Sequence, residues 1–309
     1  MNAASAYAPG SVGNVGPGFD VLGLAVDGIG DRVTLEWSTG EATVEVTGRD
    51  SALVPSDPQR NAAAIAARAY LDARGERRPL RVRLDKGLAL SGGMGGSAAS
   101  SVAGAFAAHL LVGGDEALDA ASTAALLRAA AAGEGAVSGP HLDNVASCLL
   151  GGLTLVRAVD PVDVVALPVA APWWVTLVTP RVRIETRGAR AMLPATVDRA
   201  LLVQQMANTA ALVHAFATGD AGLLRRALDD RYAEPPRSAL IPGFAAVRAA
   251  ALAHGGIGCS ISGAGPTVFA IATDEGDARR AAAAMCTAFA ATPSDAHVGA
   301  IARRGARAA

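Results

Sequence analysis

Three serines and four glycines fall within ten residues at 91–100, SGGMGGSAAS, and no other stretch of the chain has a clearer capacity for chemistry. Glycine lets backbone N–H groups approach a ligand closely, and the first turn of a helix offers unpaired N–H groups with a positive dipole end. An alanine-rich segment follows at once and predicts a helix over roughly residues 97–112. The stretch therefore predicts a phosphate site.

Several kinds of site compete for this glycine-rich stretch. A P-loop is excluded because it needs a lysine inside the loop, whereas the only lysine, Lys86, precedes it at the end of a predicted strand. A dinucleotide fingerprint is formally present at 93–98, but helices follow it where a second strand should come. Ser97, with His141 and Asp143 downstream, leaves a serine hydrolase open. The remaining alternative is that the glycines only permit tight turns.

Three further stretches have the composition of a site. Residues 6–26 place Asn14 and Asp20 in a Gly/Pro-rich loop before an apolar run. Residues 133–153 bring Glu134, His141, Asp143 and Asn144 together in a segment broken by glycines. A third stretch, 258–271, has glycines between two predicted strands and could be a hairpin turn. Asn and Asp also cap helices and close turns, so a purely structural role stays open for each of these residues.

The elements that would position these residues mix strands and helices in both halves of the chain. Alternating apolar residues predict strands at DRVTLEW, ATVEVTG and LRVRLD, and later at WWVTLVTP, GIGCSIS, TVFAIAT and HVGAIA. Helices are predicted over 61–75, over 115–134, through 194–254 with breaks at EPPR and IPG, and over about 275–291. The pattern predicts an α+β architecture.

Composition narrows the function classes. A net charge of -1 with 51% hydrophobic and 18% charged residues is that of a globular chain and disfavours nucleic acid as a partner. Three widely spaced cysteines without a CxxC pair argue against a disulfide framework or a zinc site and favour a reducing compartment. No leader-like start and no apolar run of spanning length is present, so we expect a soluble, cytoplasmic, unprocessed protein with no membrane partner.

Taken in order, the motifs resemble those of the GHMP small-molecule kinases, most closely the branch that phosphorylates L-homoserine. The resemblance runs from residue 6 to 271 and rests on PGFDVLGLAV, HLDNVASCLLGGL, LIPGFAAVRAAA and ISGAGPTVFAI. It implies transfer of the γ-phosphoryl group of ATP to the side-chain hydroxyl of L-homoserine, for threonine biosynthesis. It also implies a homodimer and two lobes, one like ribosomal protein S5 domain 2 over 1–160 and one ferredoxin-like over 161–309.

The resemblance also assigns roles to individual residues. Ser97 and Glu134 would hold Mg²⁺, and Ser97, Asp143 and Asp20 would be catalytic, with the base left unassigned. The nucleotide would be bound by Asn61, Ala89, Leu90, Ser91, Gly92, Gly93, Met94, Gly95, Gly96, Ser97, Ala98 and Ala99. The amino-acid substrate would be bound by Asn14, Asp20, His141, Asp143, Asn144, Arg190 and Arg237. Such a substrate needs carboxylate for its ammonium group and guanidinium for its carboxylate.

The glycine-rich stretch departs from the family pattern PxxxGLGSSAA at three positions. Ala89 replaces the proline, Met94 replaces the leucine and Gly96 replaces the first serine. The Met for Leu change nearly conserves volume, whereas the lost serine removes one hydroxyl beside the phosphates. A kinase for another small alcohol, such as mevalonate or a sugar, and a non-catalytic member that binds a metabolite are the alternatives within this resemblance.

Overall fold

The computed structural model describes residues 2–139, 141–290 and 292–309. Its strands are β1 (Ala3–Gly13), β2 (Leu22–Trp37), β3 (Thr43–Gly48), β4 (Leu80–Lys86), β5 (Leu153–Val159), β6 (Val162–Leu167), β7 (Trp174–Pro180), β8 (Gly258–Ile261), β9 (Val268–Ala272), β10 (Ser294–Ala300) and β11 (Arg307–Ala308). Its helices are α1 (Ala62–Asp72), α2 (Gly96–Leu111), α3 (Ala120–Val137), α4 (Asp143–Leu150), α5 (Thr186–Ala191), α6 (Arg199–Thr218), α7 (Ala221–Ala227), α8 (Glu234–Ser238), α9 (Phe244–Ala253) and α10 (Glu275–Ala288).

The larger sheet carries the first half of the site. Its strand order is β11-β1-β2-β4-β3, and β5 pairs with both β2 and β6. The β3–β4 pair is parallel, and the other described pairs of this sheet are antiparallel. In β4, Leu80, Val82 and Leu84 are buried while Arg81 and Arg83 between them are exposed, as their period of two predicted. One face of the sheet is therefore covered and the other is open to solvent.

Small residues let the helices behind this sheet approach one another closely. A Cβ on Gly104 of α2 would lie 2.3 Å from the Ala63 carbonyl oxygen, and one on Gly133 of α3 would lie 2.4 Å from that of Ala62. Only glycine fits at such backbone contacts. The alanine enrichment of the sequence thus has a packing function, because α1, α2 and α3 share one tightly packed core.

The smaller sheet has the strand order β10-β7-β9-β8, with all described pairs antiparallel. Helices α9 and α10 pack on it, and a second apolar core lies there. That core includes Val178, Val247, Ile261, Met285 and Phe289. The opposite-facing residues of the same strands, such as Leu177 and Phe269, belong to the larger core, so this sheet is buried on both sides.

The α+β prediction is confirmed, and two local expectations differ from the structure. Residues 160 and 161, between which the resemblance places the lobe boundary, lie in the turn of the β5–β6 hairpin, and both β6 and β11 hydrogen-bond within the larger sheet. Residues 3–13, predicted in part as a loop, form β1, where Pro9 lies at a shift in register that tolerates its missing N–H. The EPPR segment is helical, because its prolines occupy the first positions of α8.

Two findings bear on the sequence-based exclusions. Among the helices of the described ranges, none combines the length and the apolar character needed to cross a membrane. Cys148 and Cys259 are buried, and Cys286 is partly exposed; all three are free thiols.

Candidate active site

One cleft gathers residues from both halves of the chain. It is lined by most residues of the glycine loop (residues 89–99), which include the first turn of α2, by residues within 134–138 and 141–144, and by residues of α5, α8 and the β8–β9 turn. The glycine loop and its helix form one end. The other end is formed by charged and amide side chains, which we call the acceptor cluster. These are Asp20, His141, Asp143, Asn144, Arg190 and Arg237.

The β8–β9 turn holds the carbonyl groups of the glycine loop. Thr267 donates its N–H to the Gly92 carbonyl at 3.3 Å, and its hydroxyl donates to the same oxygen. The Ser262 hydroxyl donates to the Gly93 carbonyl at 2.6 Å. A Cβ on Gly93 would lie 2.7 Å from the carbonyl oxygens of Ser262 and Gly265, so the turn presses directly on the loop. The third glycine-rich stretch is therefore more than a hairpin turn.

Two further carbonyl groups of the loop are held from the larger sheet. The N–H of Ser11 donates to the Met94 carbonyl at 3.1 Å, and Lys86 Nζ donates to the Gly96 carbonyl at 3.1 Å. In a trans peptide the C=O and the next N–H point in opposite directions. With the loop carbonyls turned onto the protein, the following N–H groups point away from it, which is the arrangement of an anion cradle.

Lys86, the only lysine, is a structural clamp in this arrangement. Its side chain is buried and pairs with Asp31, which is also fully buried. Asp31 also accepts the Ser100 hydroxyl at 2.6 Å and the N–H groups of Gly87 and Leu88. A buried charge pair is tolerated when the remaining hydrogen-bonding capacity is used, as it is here. The pair fixes the first turn of α2 onto β2.

Ser97 and Glu134 lie close together at the N-terminal end of α2. Ser97 Oγ lies 3.0 Å from Ser138 Oγ, and burial raises the pKa of Glu134 to about 7 against the opposing effect of the Ser97 hydroxyl. Within the described residues, Glu134 Oε2 has no hydrogen-bond partner although it is buried. An unpartnered buried carboxylate oxygen beside hydroxyl groups suits a hard cation such as Mg²⁺, which takes oxygen ligands.

Asp143 is the first residue of α4 and is buried beside polar groups of the stretch 6–26. Its Oδ2 accepts the N–H of Asn14 at 3.0 Å. Burial first, and then the charge of Asp20, raise the pKa of Asp143 to about 6. The carboxyl group thus titrates close to neutrality, as groups that handle protons in active sites often do.

Asn14 lines the cleft and connects the stretches 6–26, 133–153 and 258–271. It has a left-handed backbone, with φ of 68°. Its Nδ2 donates to the Gly263 carbonyl at 3.0 Å, and its Oδ1 accepts the N–H of Asp20 at 3.0 Å. Together with its N–H bond to Asp143, these contacts hold Asn14 in place beside the acceptor cluster, and its role in binding the substrate stays a prediction.

Asp20, His141 and Arg190 form a hydrogen-bonded triad with Arg190 at its centre. Arg190 Nη2 donates to Asp20 Oδ2 and to His141 Nδ1, the latter at 3.1 Å. Because His141 Nδ1 accepts, the ring proton lies on Nε2. Burial and the charge of Arg190 lower the pKa of His141, so the ring is neutral near pH 7 and offers an N–H donor.

Arg237 supplies a buried positive charge. Its Nη1 donates to the Gly263 carbonyl at 3.0 Å, and its guanidinium carbon lies 5.2 Å from the centroid of the Phe19 ring. Arg190 lies at the same distance from that ring. Burial and the charge of Arg190 lower the pKa of Arg237, and its Nε is buried without a partner among the described residues. A guanidinium held in this way can bind a carboxylate.

The predicted residues differ in how directly they reach the cleft. Ala89, Leu90, Ser91 and the four glycines of the loop line it. Met94, Ala98 and Ala99 have buried side chains and do not line it. Asn61 lines it, but its Oδ1 caps α1 by accepting the N–H groups of Ala63 and Ala64, and its Nδ2 donates to the Pro55 carbonyl.

Comparisons with known proteins agree with this geometry. Residues 61–152 match the model of the GHMP kinases N terminal domain, and residues 212–291 match that of the GHMP kinases C terminal. Homoserine kinase of Chlorobium phaeobacteroides is 36% identical over 304 residues, covering 94% of this chain and 92% of that protein. Homoserine kinase of Xanthomonas campestris is 40% identical over 299 residues, covering 96% and 90%.

The chain belongs to the homoserine kinase family of the GHMP kinases. The crystal structure of homoserine kinase from Cytophaga hutchinsonii superposes with a TM-score of 0.92 at 38% identity, covering 100% of this chain and 98% of that one. The two-lobed fold expected from the motifs is therefore that of the family.

The sequence analysis did not identify several residues that the structure places at the site. Ser138 follows Glu134 by four residues, and Thr186 precedes Arg190 by four, so helical spacing places each pair on one face. That spacing could have identified both. Ser11, Ser262, Gly263 and Thr267 lie within the stretches that have the composition of a site, but no pattern within those stretches shows that they hold the loop. Asp31 and Lys86 lie outside them, and only the tertiary structure brings the pair to the loop.

Proposed function

We propose that the protein transfers the γ-phosphoryl group of ATP to the side-chain hydroxyl of L-homoserine, giving O-phospho-L-homoserine for threonine biosynthesis. The observation that carries this proposal is that one cleft joins a backbone anion cradle to a cluster of charges of both signs. The first suits a triphosphate and the second suits an amino acid. The family membership supports the same reaction.

The nucleotide would bind at the glycine loop through backbone N–H groups and the first turn of α2. The carbonyl groups of Gly92, Gly93, Met94 and Gly96 are already bonded to the protein. The loop is therefore oriented before the ligand arrives, which lowers the cost of binding. Ser97 lies at this end, where its hydroxyl can reach the phosphates.

Mg²⁺ would be held by Glu134 with the Ser97 hydroxyl. The unpartnered Oε2 atom and the raised pKa of Glu134 fit this role, since a cation would favour the ionised carboxylate. When bound, the ion neutralises charge that builds up on the phosphoryl oxygens. Ser138, 3.0 Å from Ser97, would keep the Ser97 hydroxyl oriented.

The acceptor cluster would hold the amino acid by its charges. Arg237 would bind the α-carboxylate, assisted by Arg190, and the Nε2–H of His141 would donate to the same group. Asp20 would face the ammonium group. Asp143 and Asn144 begin α4 beside the glycine loop, so they would orient the hydroxyl toward the nucleotide.

The chemistry asks more of positioning than of a strong base. Phosphoryl transfer passes through a loose transition state, in which alignment and neutralised charge lower the barrier most. Asp143, with a pKa near 6, can accept the hydroxyl proton late in the reaction. Asp20 is engaged by Arg190 and shapes the site.

The experiment is ADP release from MgATP by the purified protein, with L-homoserine, mevalonate, galactose, L-serine or no acceptor. We expect release that depends on homoserine and is abolished in Glu134→Ala. Turnover with another alcohol would keep the GHMP kinase assignment and refute the substrate. No turnover with any acceptor, together with tight binding of homoserine, would favour a non-catalytic metabolite-binding member.

The other expectations stay predictions. A homodimer and a cytoplasmic location follow only from the family resemblance and the cysteine usage, and the absence of a nucleic-acid ligand follows from the balanced charge. Sedimentation of the purified protein would test the first of these.

A further inference from the structure

Ser11 lies at the junction of the two ends of the site without lining the cleft. It is fully buried in β1. Its N–H donates to the Met94 carbonyl of the glycine loop at 3.1 Å, and its hydroxyl donates to Asn144 Oδ1 at 2.8 Å. One residue thus touches the nucleotide end with its backbone and the acceptor cluster with its side chain.

The Ser11 hydroxyl belongs to a chain of hydrogen bonds that runs in one direction. The Cys148 thiol donates to Ser11 Oγ at 3.4 Å, and Ser11 donates onward to Asn144 Oδ1. Asn144 Nδ2 then donates to Asp143 Oδ1 at 3.4 Å. The chain begins at a donor and ends at a carboxylate, so each proton has one consistent place.

This direction fixes which way the Asn144 amide points. With the amide reversed, its oxygen would face the Asp143 carboxylate, and the long, weak contact that now attracts would become a repulsion. The present orientation turns Nδ2 toward Asp143, and Asn144 lines the cleft. The Ser11 hydroxyl holds this orientation by donating to the amide oxygen, while the Asp143 carboxylate disfavours the reversed one.

The glycine loop leaves room for the contact between Ser11 and Asn144. Gly95 has φ of +65°, and a Cβ there would lie 2.2 Å from Ser11 Oγ and 3.0 Å from Asn144 Oδ1. A side chain at this position would press into the hydrogen bond itself. The loop, Ser11 and Asn144 are therefore in mutual contact.

We propose that Ser11 is a positioning residue, which sets the orientation of the Asn144 amide relative to the glycine loop. This rests on the proposed function, in which Asn144 helps to orient the acceptor hydroxyl. Ser11 itself does not touch the substrate, since it is buried behind Asn144 and outside the cleft.

The test compares Ser11→Ala with Ser11→Cys, which keeps the shape and a weaker donor, and with Ser101→Ala. Ser101 is a buried serine of α2 whose hydroxyl has no partner among the described residues, so it is the matched control. The readouts are kcat and KM for each substrate, and the side-chain amide resonance of Asn144 in protein labelled with ¹⁵N-asparagine. The resonance is assigned by its loss in Asn144→Asp.

We expect Ser11→Ala to shift the Asn144 resonance and to lower kcat by ~30-fold with little change in KM for ATP. Ser11→Cys should fall between the wild type and Ser11→Ala, and Ser101→Ala should match the wild type. An unchanged resonance and an unchanged kcat in Ser11→Ala would overturn the proposal. If Ser11→Ala does not fold, the kcat and the Asn144 resonance of Ser11→Cys test the proposal in its place. A wild type without homoserine turnover would refute the proposed function, while the resonance would still decide the role of Ser11.

Discussion

The two ends of the cleft are built from different materials. The glycine loop presents backbone groups, and its side chains are hydrogen or small groups at most positions. The acceptor cluster presents ionised and amide side chains and a neutral histidine, and Arg190 hydrogen-bonds to both Asp20 and His141. The first end depends on conformation and the second on charge, so substitutions should affect them by different mechanisms and by different amounts.

The two ends also differ in how they are assembled. The loop is one continuous segment, held by donors from β1, β4 and the β8–β9 turn. The acceptor cluster is drawn from the β1–β2 connection, the start of α4, α5 and α8. If this contrast is correct, a variant at one end should change the kinetics of one substrate and leave those of the other nearly intact.

The largest effect is expected at Arg237. Arg237→Ala should lower kcat/KM for homoserine by ~1000-fold, because a buried guanidinium is lost from the carboxylate site and the Gly263 carbonyl keeps only one of its two donors. KM for ATP should change by less than threefold. Steady-state kinetics with each substrate varied in turn measure both, and Arg226→Ala on exposed α7 is the control. A comparable loss for both substrates would contradict the separation of the two ends.

The next effect is expected at Asp143, through its protonation. Since burial raises its pKa to about 6, the carboxylate form is present above that pH and is lost below it. kcat/KM for homoserine should therefore rise with pH through about 6. Asp143→Asn should be ~100-fold slower and flat over that range. A variant that keeps the wild-type pH profile would assign the titration to another group.

A backbone effect of ~30-fold on kcat/KM for ATP is expected from Gly95→Ala, since the residue needs a left-handed conformation that alanine resists. The added Cβ would also press on Ser11. The measurement is the KM for ATP alongside the melting temperature, with Gly135→Ala as the control, because nothing lies within 4 Å of a Cβ there. Normal ATP kinetics in a folded Gly95→Ala variant would be incompatible with a backbone cradle.

The buried carboxyl group of Glu134, at the nucleotide end, should make the free energy of unfolding depend on pH. Its pKa is about 7 in the folded chain against an ordinary value of 4.5, so the folded state binds the proton more tightly. Its contribution favours the folded state below pH 4.5 and is lost as the pH rises to 7. Without ligands, Glu134→Gln should be more stable than the wild type by about 3 kcal/mol at pH 8 and equal to it at low pH. Urea unfolding of both proteins at pH 8 and at low pH tests this. Equal stability of the variant and the wild type at pH 8 would contradict the raised pKa of a buried Glu134.

The smallest effect is expected at Gly96, where the loop departs from the family pattern. A Cβ there would meet its nearest neighbours at 3.4 to 3.6 Å, an ordinary contact, and its backbone is not left-handed. Gly96→Ser should therefore fold normally and change KM for ATP by less than ~3-fold. A large gain in activity would mean that the missing hydroxyl limits the wild type.

The sequence predicted the parts of the site that are local. The loop and its helix follow from glycine and alanine composition, and the α+β class follows from periodicity. The assignment of residues to the acceptor cluster came from resemblance, because nothing local brings Arg190 and Arg237 to Asp20. The long β1 was missed in part, since its Gly, Pro and Ser content is atypical of strands and pairing with β2 stabilises it.

Some roles could not be predicted because they depend on which hydrogen-bond partners the fold brings to a side chain. Asn14 is predicted to bind substrate, and the structure adds side-chain hydrogen bonds to the Gly263 carbonyl and the Asp20 N–H, which no local pattern predicts. Lys86 was set aside as a phosphate ligand, but its function in fixing α2 onto β2 depends on Asp31, which lies 55 positions away. Residue types are readable from the chain, whereas their remaining hydrogen-bonding capacity is a property of the fold.

The most direct test of the account is ³¹P NMR of the purified protein with MgATP and L-homoserine. We expect a phosphomonoester signal of O-phospho-L-homoserine that grows in equal amount with ADP. The signal should disappear in Arg237→Ala and should be unchanged in the control variant Arg226→Ala. Formation of ADP with inorganic phosphate in place of the ester, or equal ester formation in Arg237→Ala, would contradict a cleft that joins a phosphate cradle to an amino-acid site.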